Sequence, residues 1–236
     1  MNKKARIDFF GACALILFSV LLAINHVVIK VVNTGLNPIF FAGARSVIAF
    51  FALIIWMNIS RKPIVFNNNL AFISCLAGLV FSLEFLFLFL ALDFTTVSRN
   101  SIIFYSMPVW LAILAHFFVP NERLNIMKIF GLICAFTGVT LSLSINATDF
   151  SFTNNILLGD FFAILAAFTW ALLILLAKGT KFSQVSPEMQ LIWMVMISGP
   201  VLILFSLIFG NPIRDFELIH FWGLIFQSVI VVAGGF

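Results

Sequence analysis

Glu84 is the residue whose position most needs a chemical explanation. It lies in the middle of the apolar run Leu79 to Leu90, where an acid costs about 2.5–3.5 kcal/mol to place in hydrocarbon. Such a group either lines a polar cavity, taking a proton or meeting a cationic substrate group, or it is a neutral, hydrogen-bonded contact between helices. A second set is Ser101, Tyr105, Pro108 and Ala112, whose spacing of i, i+4, i+7 and i+11 places them on one helical face. Tyr105 is the only tyrosine and offers a hydroxyl to a substrate. Pro108 lacks an N–H, so it bends a helix and frees a carbonyl one turn back. The alternative is a packing kink with an interfacial tyrosine.

Asn25, His26 and Lys30 form a third set in the outer half of the first helix. His26 is a candidate proton carrier beside Glu84, or else an interfacial residue. Asn25 bonds either a substrate or a neighbouring helix. Trp110 and Trp170 sit nearer mid-helix than the other tryptophans and are cavity candidates. Lys30, Lys178 and Arg45 read as interfacial residues with their charges at helix ends. Arg99 reads equally as an outer anchor or as part of the cavity mouth.

No enzyme motif accompanies these residues: HExxH, GxSxG, a P-loop and a helix-opening GxGxxG are all missing. His26, His116 and His220 fall on separate helices without metal spacing, and no cofactor is expected. Cys13, Cys75 and Cys134 are isolated in apolar runs and read as small core residues.

The elements that position these groups follow from composition. Residues of the set AVILMFWYC make up 63% of the 236-residue chain and charged residues only 9%, against about 25% charged in a soluble domain. Lipid must therefore be the solvent for most of the surface. The net charge of +4 comes without a basic run, so no nucleic-acid partner is expected.

Runs of about 20 apolar residues span the bilayer as helices. Eight are expected: Phe9 to Val28, Ile39 to Trp56, Leu70 to Leu90, Ile102 to Val119, Ile126 to Leu143, Leu157 to Ala177, Gln190 to Phe209 and Phe221 to Phe236. The first is a retained helix rather than a cleaved signal. With a cytoplasmic N-terminus, Lys3, Lys4, Arg6, Arg61, Lys62, Arg123, Lys128, Lys178 and Lys181 fall inside. Lys30, Arg45, Arg99 and Arg214 fall outside, which is a positive-inside bias. The Asn146-Ala147-Thr148 acceptor on the outer side is at chance level, and Asn125 with Glu122 reads as a helix cap.

Gly11 precedes Lys30 as Gly159 precedes Lys178, and Pro38 and Pro187 follow at nearly the same distance. Five helices separate the two starts, so the second copy is inverted, an arrangement that places substrate between the copies at the midplane. The first unit spans 9–144 and the second 157–236. The second holds three helices and reads as cut short.

The segment Ala91 to Leu143 resembles the EamA repeat of the drug/metabolite transporter superfamily. The resemblance rests on Ala91-Leu92, Tyr105-Ser106-Met107-Pro108-Val109-Trp110, Glu122-Arg123-Leu124, Gly131 and Gly138-Val139. It implies an all-α membrane protein of ten helices, eight present here, in two inverted five-helix repeats around a central cavity. It also implies a secondary transporter that moves a small metabolite, amino acid or drug outward by alternating access, in a bacterial inner membrane. A non-transporting fragment, or half of a two-chain assembly, is the alternative. The expected partners are a small-molecule substrate, the lipid bilayer, and either a second copy of the chain or the missing C-terminal helices.

Overall fold

Every regular element of the computed structural model is helical among the described residues, which are 9–64, 66, 68–119, 124–144, 154–208 and 210–233. The helices are α1 (Phe9–Gly35), α2 (Pro38–Ile59), α3 (Ala71–Phe94), α4 (Val97–Phe104), α5 (Met107–Phe118), α6 (Ile126–Ser144), α7 (Asn154–Gly179), α8 (Pro187–Ile208) and α9 (Leu218–Ile225). A π-helical turn, Phe226–Ala233, continues α9. Polar residues start the helices as their chemistry requires. Asn37 accepts from the Ile39 N–H with Pro38 in the first turn, Thr96 caps α4, and the Asn125 side chain accepts from the Lys128 N–H at 2.8 Å.

Five described helices are long and apolar enough to cross a membrane: Pro38–Ile59, Ala71–Phe94, Val97–Phe118 (α4 with α5), Asn154–Gly179 and Pro187–Ile208. Ser19–Gly35, Ile126–Gly138 and Leu218–Val232 are shorter apolar stretches. Outward-facing residues are large and apolar, among them Leu17, Ile59, Phe72 and Phe117, as a lipid-facing surface demands. The protein is an integral membrane protein.

α3 is the central helix, packing on α7, α8, α2 and α1, while α2 lies along α8. Its buried Phe81, Phe85 and Phe89, with Phe41 of α2, form an aromatic spine whose successive rings stand 4.6–6.0 Å apart. One end of the bundle is tied together by backbone bonds: Asn37 N–H to Pro212 O at 2.9 Å, and Arg214 N–H to Gly35 O at 3.0 Å. A single bridge also pairs Leu36 with Ile213.

Several expectations need correction. α1 runs on past Val28 to Gly35, so Lys30 lies inside the helix rather than at its end. The fourth span starts earlier, at Val97, and is interrupted at Tyr105–Ser106, so Pro108 sits in the first turn of α5 instead of inside one continuous helix. The three cysteines are exposed on the outer surface, not in the core. Small thiols are apolar enough for lipid contact. Lys3, Lys4, Arg6, Glu122, Arg123, the Asn146–Thr148 acceptor and Phe236 lie outside the described residues.

Candidate functional site

Polar side chains gather near mid-depth. Counting from the end that joins α1 to α2, Asn25, His26, Arg45, Glu84 and Tyr105 lie about 10–15 Å in, at about 1.5 Å per residue.

His26 is 3% exposed and shares a 3.0 Å hydrogen bond through Nδ1 with Ser101 Oγ. Its ring stacks on Tyr105 at 5.9 Å and meets Phe104 edge-on at 5.6 Å. The α1 and α4 residues singled out by spacing therefore meet, because one turn of α4 carries both Ser101 and Tyr105 toward α1. Asn25 goes elsewhere: its carbonyl accepts from Gln227 Nε2 at 3.1 Å, and its side-chain oxygen accepts from the same group. Gln227 lies in the π-helical turn, a wide helical form found often at functional sites.

Glu84 is 1% exposed on α3, and Arg45 of α2 is equally buried. This overturns the interfacial reading of Arg45. The guanidinium lies over the Phe85 ring at 3.6 Å, beside Glu84, with which it interacts coulombically. Arg45 Nε and Nη2 and Glu84 Oε2 have no hydrogen-bond partner. The same holds for both amide atoms of Asn100, for Asn33 Oδ1 and for Gln227 Oε1. Each such unmet group costs about 1–3 kcal/mol, and in hydrocarbon there is no water to compensate. Buried groups left unmet in this way, between several of the helices, are suited to a polar guest.

Pro108 is exposed, and Trp110 packs edge-on against Phe168 of α7 at 5.7 Å. Trp170 is half-buried against the core. The hydrogen bond and ring contacts of His26 include neither Pro108 nor either tryptophan. Two open crevices of about 410 and 310 Å³ lie between α5 and α6, lined mainly by apolar residues with Lys128 at one edge. None of the buried polar groups named above lines them.

At the tied end, charges pair between elements. Asp160 of α7 accepts from Arg99 Nε at 3.3 Å, pairs with its Nη2, and accepts from Thr95 Oγ1 at 3.1 Å. Asp93 receives both Nη atoms of Arg214 at 2.7 and 2.9 Å. Lys30 Nζ donates to the Asp93 and Thr95 carbonyls at 3.1 and 3.0 Å, capping the C-terminus of α3. Gly159 makes the first pairing possible. A Cβ there would stand 2.8 Å from the Thr95 backbone nitrogen, so only glycine lets α7 come close enough for Asp160 to reach Arg99. At the opposite end Lys62 pairs with Glu188 and lies 4.6 Å from the Trp56 ring.

Sequence reasoning missed Arg45, Asn100, Asp160 and Gln227. Three of the four stand inside the expected spans Ile39 to Trp56, Leu157 to Ala177 and Phe221 to Phe236, where any strongly polar residue is a candidate.

The model of the EamA-like transporter family matches residues 9–144, more than half of the chain. The chain belongs to the EamA-like transporter family. A Bacillus subtilis (strain 168) protein named "Uncharacterized transporter YoaV" is 23% identical over 206 residues, 86% of this chain and 69% of that one. A crystal structure superposes with a TM-score of 0.68 at 18% identity, covering 94% of this chain and 76% of its own, a likeness of fold. In this EamA-like transporter the polar residues of the candidate site lie within and beyond the matched segment, since the half-buried Asp160 and the buried Gln227 follow it.

Proposed function

We propose that the protein is a secondary transporter that exports a small polar metabolite, amino acid or drug across a bacterial inner membrane by alternating access. The observation that carries this reading is the set of buried, partly unpartnered polar groups: Arg45, Glu84 and Gln227 at mid-depth, and Asn100 nearer the Asp93 end. Asn25, His26, Ser101 and Tyr105 complete the substrate path. Pro108, Trp110 and Trp170 line its approach once the helices move.

Two inverted repeats fit the packing. α2 and α8 have 22 residues each and both begin at proline. Exchanging α1 with α7, α2 with α8 and α3 with α9 maps the α3–α7 contact onto α1–α9, and α2–α8 onto itself. Eight spans is the corresponding count for these residues in this reading. The N-terminus is cytoplasmic in this reading, because Arg61, Lys62, Lys128, Lys178 and Lys181 share the Lys62 end while Asp93, Asp160, Asp215 and Glu217 share the other.

The test is substrate efflux or resistance in cells challenged with a metabolite panel, comparing the chain with Glu84→Gln. Export by the parent that falls in the variant at equal membrane abundance supports the reading. Equal export by both removes Glu84 from it.

A further inference from the structure

α4 is an eight-residue helix set apart from α5 by the interruption at Tyr105–Ser106. Residues on and just after it do different things. Ser101 and Tyr105 meet His26, and Asn100 is fully buried with neither amide atom partnered. Its outer end carries Arg99, whose guanidinium is held by Asp160 of α7, and Thr95 just before α4 holds the same carboxylate. The Arg99 and Asp160 side chains are each 15% exposed, so water reaches the pair from the face of the bundle.

We infer that α4 is a gate over one mouth of the transport path and that Arg99–Asp160 is its latch. This rests on the transport reading. Latched, α4 seals Asn100 and the His26 cluster away from the Asp93 end. When Asp160 releases Arg99, both groups hydrate at the face, and α4 swings at Tyr105–Ser106 to bring Asn100 and Ser101 into contact with a guest. An ion pair at a wet edge suits that duty because its two states differ little in free energy. The pair also links an element of the first unit to one of the second, so its opening reports relative movement of the two. Asp160 is thus a positioning residue, acting through Arg99.

The test needs no substrate. Cys13, Cys75 and Cys134 are replaced by serine in the full chain, and Asn100→Cys is introduced as a reporter in vesicles treated with a membrane-impermeant maleimide. Thiols react as thiolates and so report water. With the latch intact, labelling is slow. Asp160→Asn raises its rate at least about fivefold, the population shift that a partly exposed ion pair can hold. The exchanged pair Arg99→Asp with Asp160→Arg slows it again. A second reporter, Ser198→Cys, fully buried in α8, stays unlabelled throughout. An unchanged rate in Asp160→Asn overturns the latch, as does labelling of both reporters together, which makes the pair a staple of the whole fold. A chain that exports substrate while Asn100→Cys labelling ignores Asp160 loses the gate and keeps the transport reading. Latch-dependent labelling without export does the reverse.

Discussion

The Arg45 guanidinium stands 3.6 Å from the centre of the Phe85 ring and 5.3 Å from that of Phe89, so a charge of α2 is carried on the aromatic face of α3. A desolvated cation on an aromatic face gains about 2 kcal/mol, and Glu84 lies beside it within coulombic reach. Removing one partner of a buried pair leaves the other uncompensated. Arg45→Ala is therefore expected to destabilise by about 3–5 kcal/mol, read as a large fall in thermal midpoint in detergent. Arg45→Lys keeps the charge but loses the flat stacking surface, and falls between the two. Arg45→Met combined with Glu84→Gln recovers part of the loss. A single Arg45→Ala within about 0.5 kcal/mol of the parent contradicts this account.

Glu84→Gln alone keeps the shape of the side chain and removes its capacity to ionise. Arg45 retains Phe85 and Phe89, so this change costs less stability than Arg45→Ala. Export is expected to fall by more than any loss of folded protein explains. Parallel measurement of transport and thermal midpoint in the same membranes separates the two effects, and proportional losses would make Glu84 structural.

The helices were legible because apolar runs of bilayer length leave few alternatives. The meeting of Ser101 and Tyr105 with His26 was half legible: spacing set the α4 face, but nothing local told that α1 lies against it. Arg45 was misread because distance from a helix end says nothing about which neighbour covers a side chain, and here the cover is the aromatic row of α3. Asp160 and Arg99 are 61 residues apart, and their pairing depends on the bare Cα of Gly159. That glycine stood out in sequence only as the start of a repeat. Gln227 sits in a helical form that apolar periodicity does not distinguish from an ordinary helix.

Gly159 yields its own prediction. Alanine there puts a methyl 2.8 Å from both the Thr95 nitrogen and its Cβ, and backbone cannot swing aside as a flexible side chain does. Gly159→Ala should push α7 off the end of α3 and cost about 1–3 kcal/mol, the usual range for overpacking. Gly131, with open space around its Cα, is the control: Gly131→Ala should be neutral or slightly stabilising, since glycine inside a helix costs about 1 kcal/mol against alanine. Equal effects at the two positions would mean that α7 does not depend on this contact.

Arg214 and Asp93 allow a sharper test of how charge holds the tied end. Both Nη atoms reach the carboxylate, and Nη1 also donates to the Asn33 carbonyl at 2.9 Å. The Arg214 side chain is 40% exposed, so the pair is discounted for solvent and is worth about 0.5–1 kcal/mol. Hydrogen bonding to Asp93, set against partial burial, raises the Arg214 pKa above its ordinary value. A raised basic pKa means stability that is fully present below the unfolded value and lost only as pH climbs through the folded one. Across the neutral range the Arg214 contribution is therefore flat with pH and sensitive to salt instead. Arg214→Gln should lower the thermal midpoint by a small, constant amount between mildly acidic and mildly basic buffers, and the deficit should shrink at about 1 M salt, where screening acts within about 3 Å. A deficit that survives high salt undiminished would assign the stabilisation to the Asn33 carbonyl bond rather than to the ion pair.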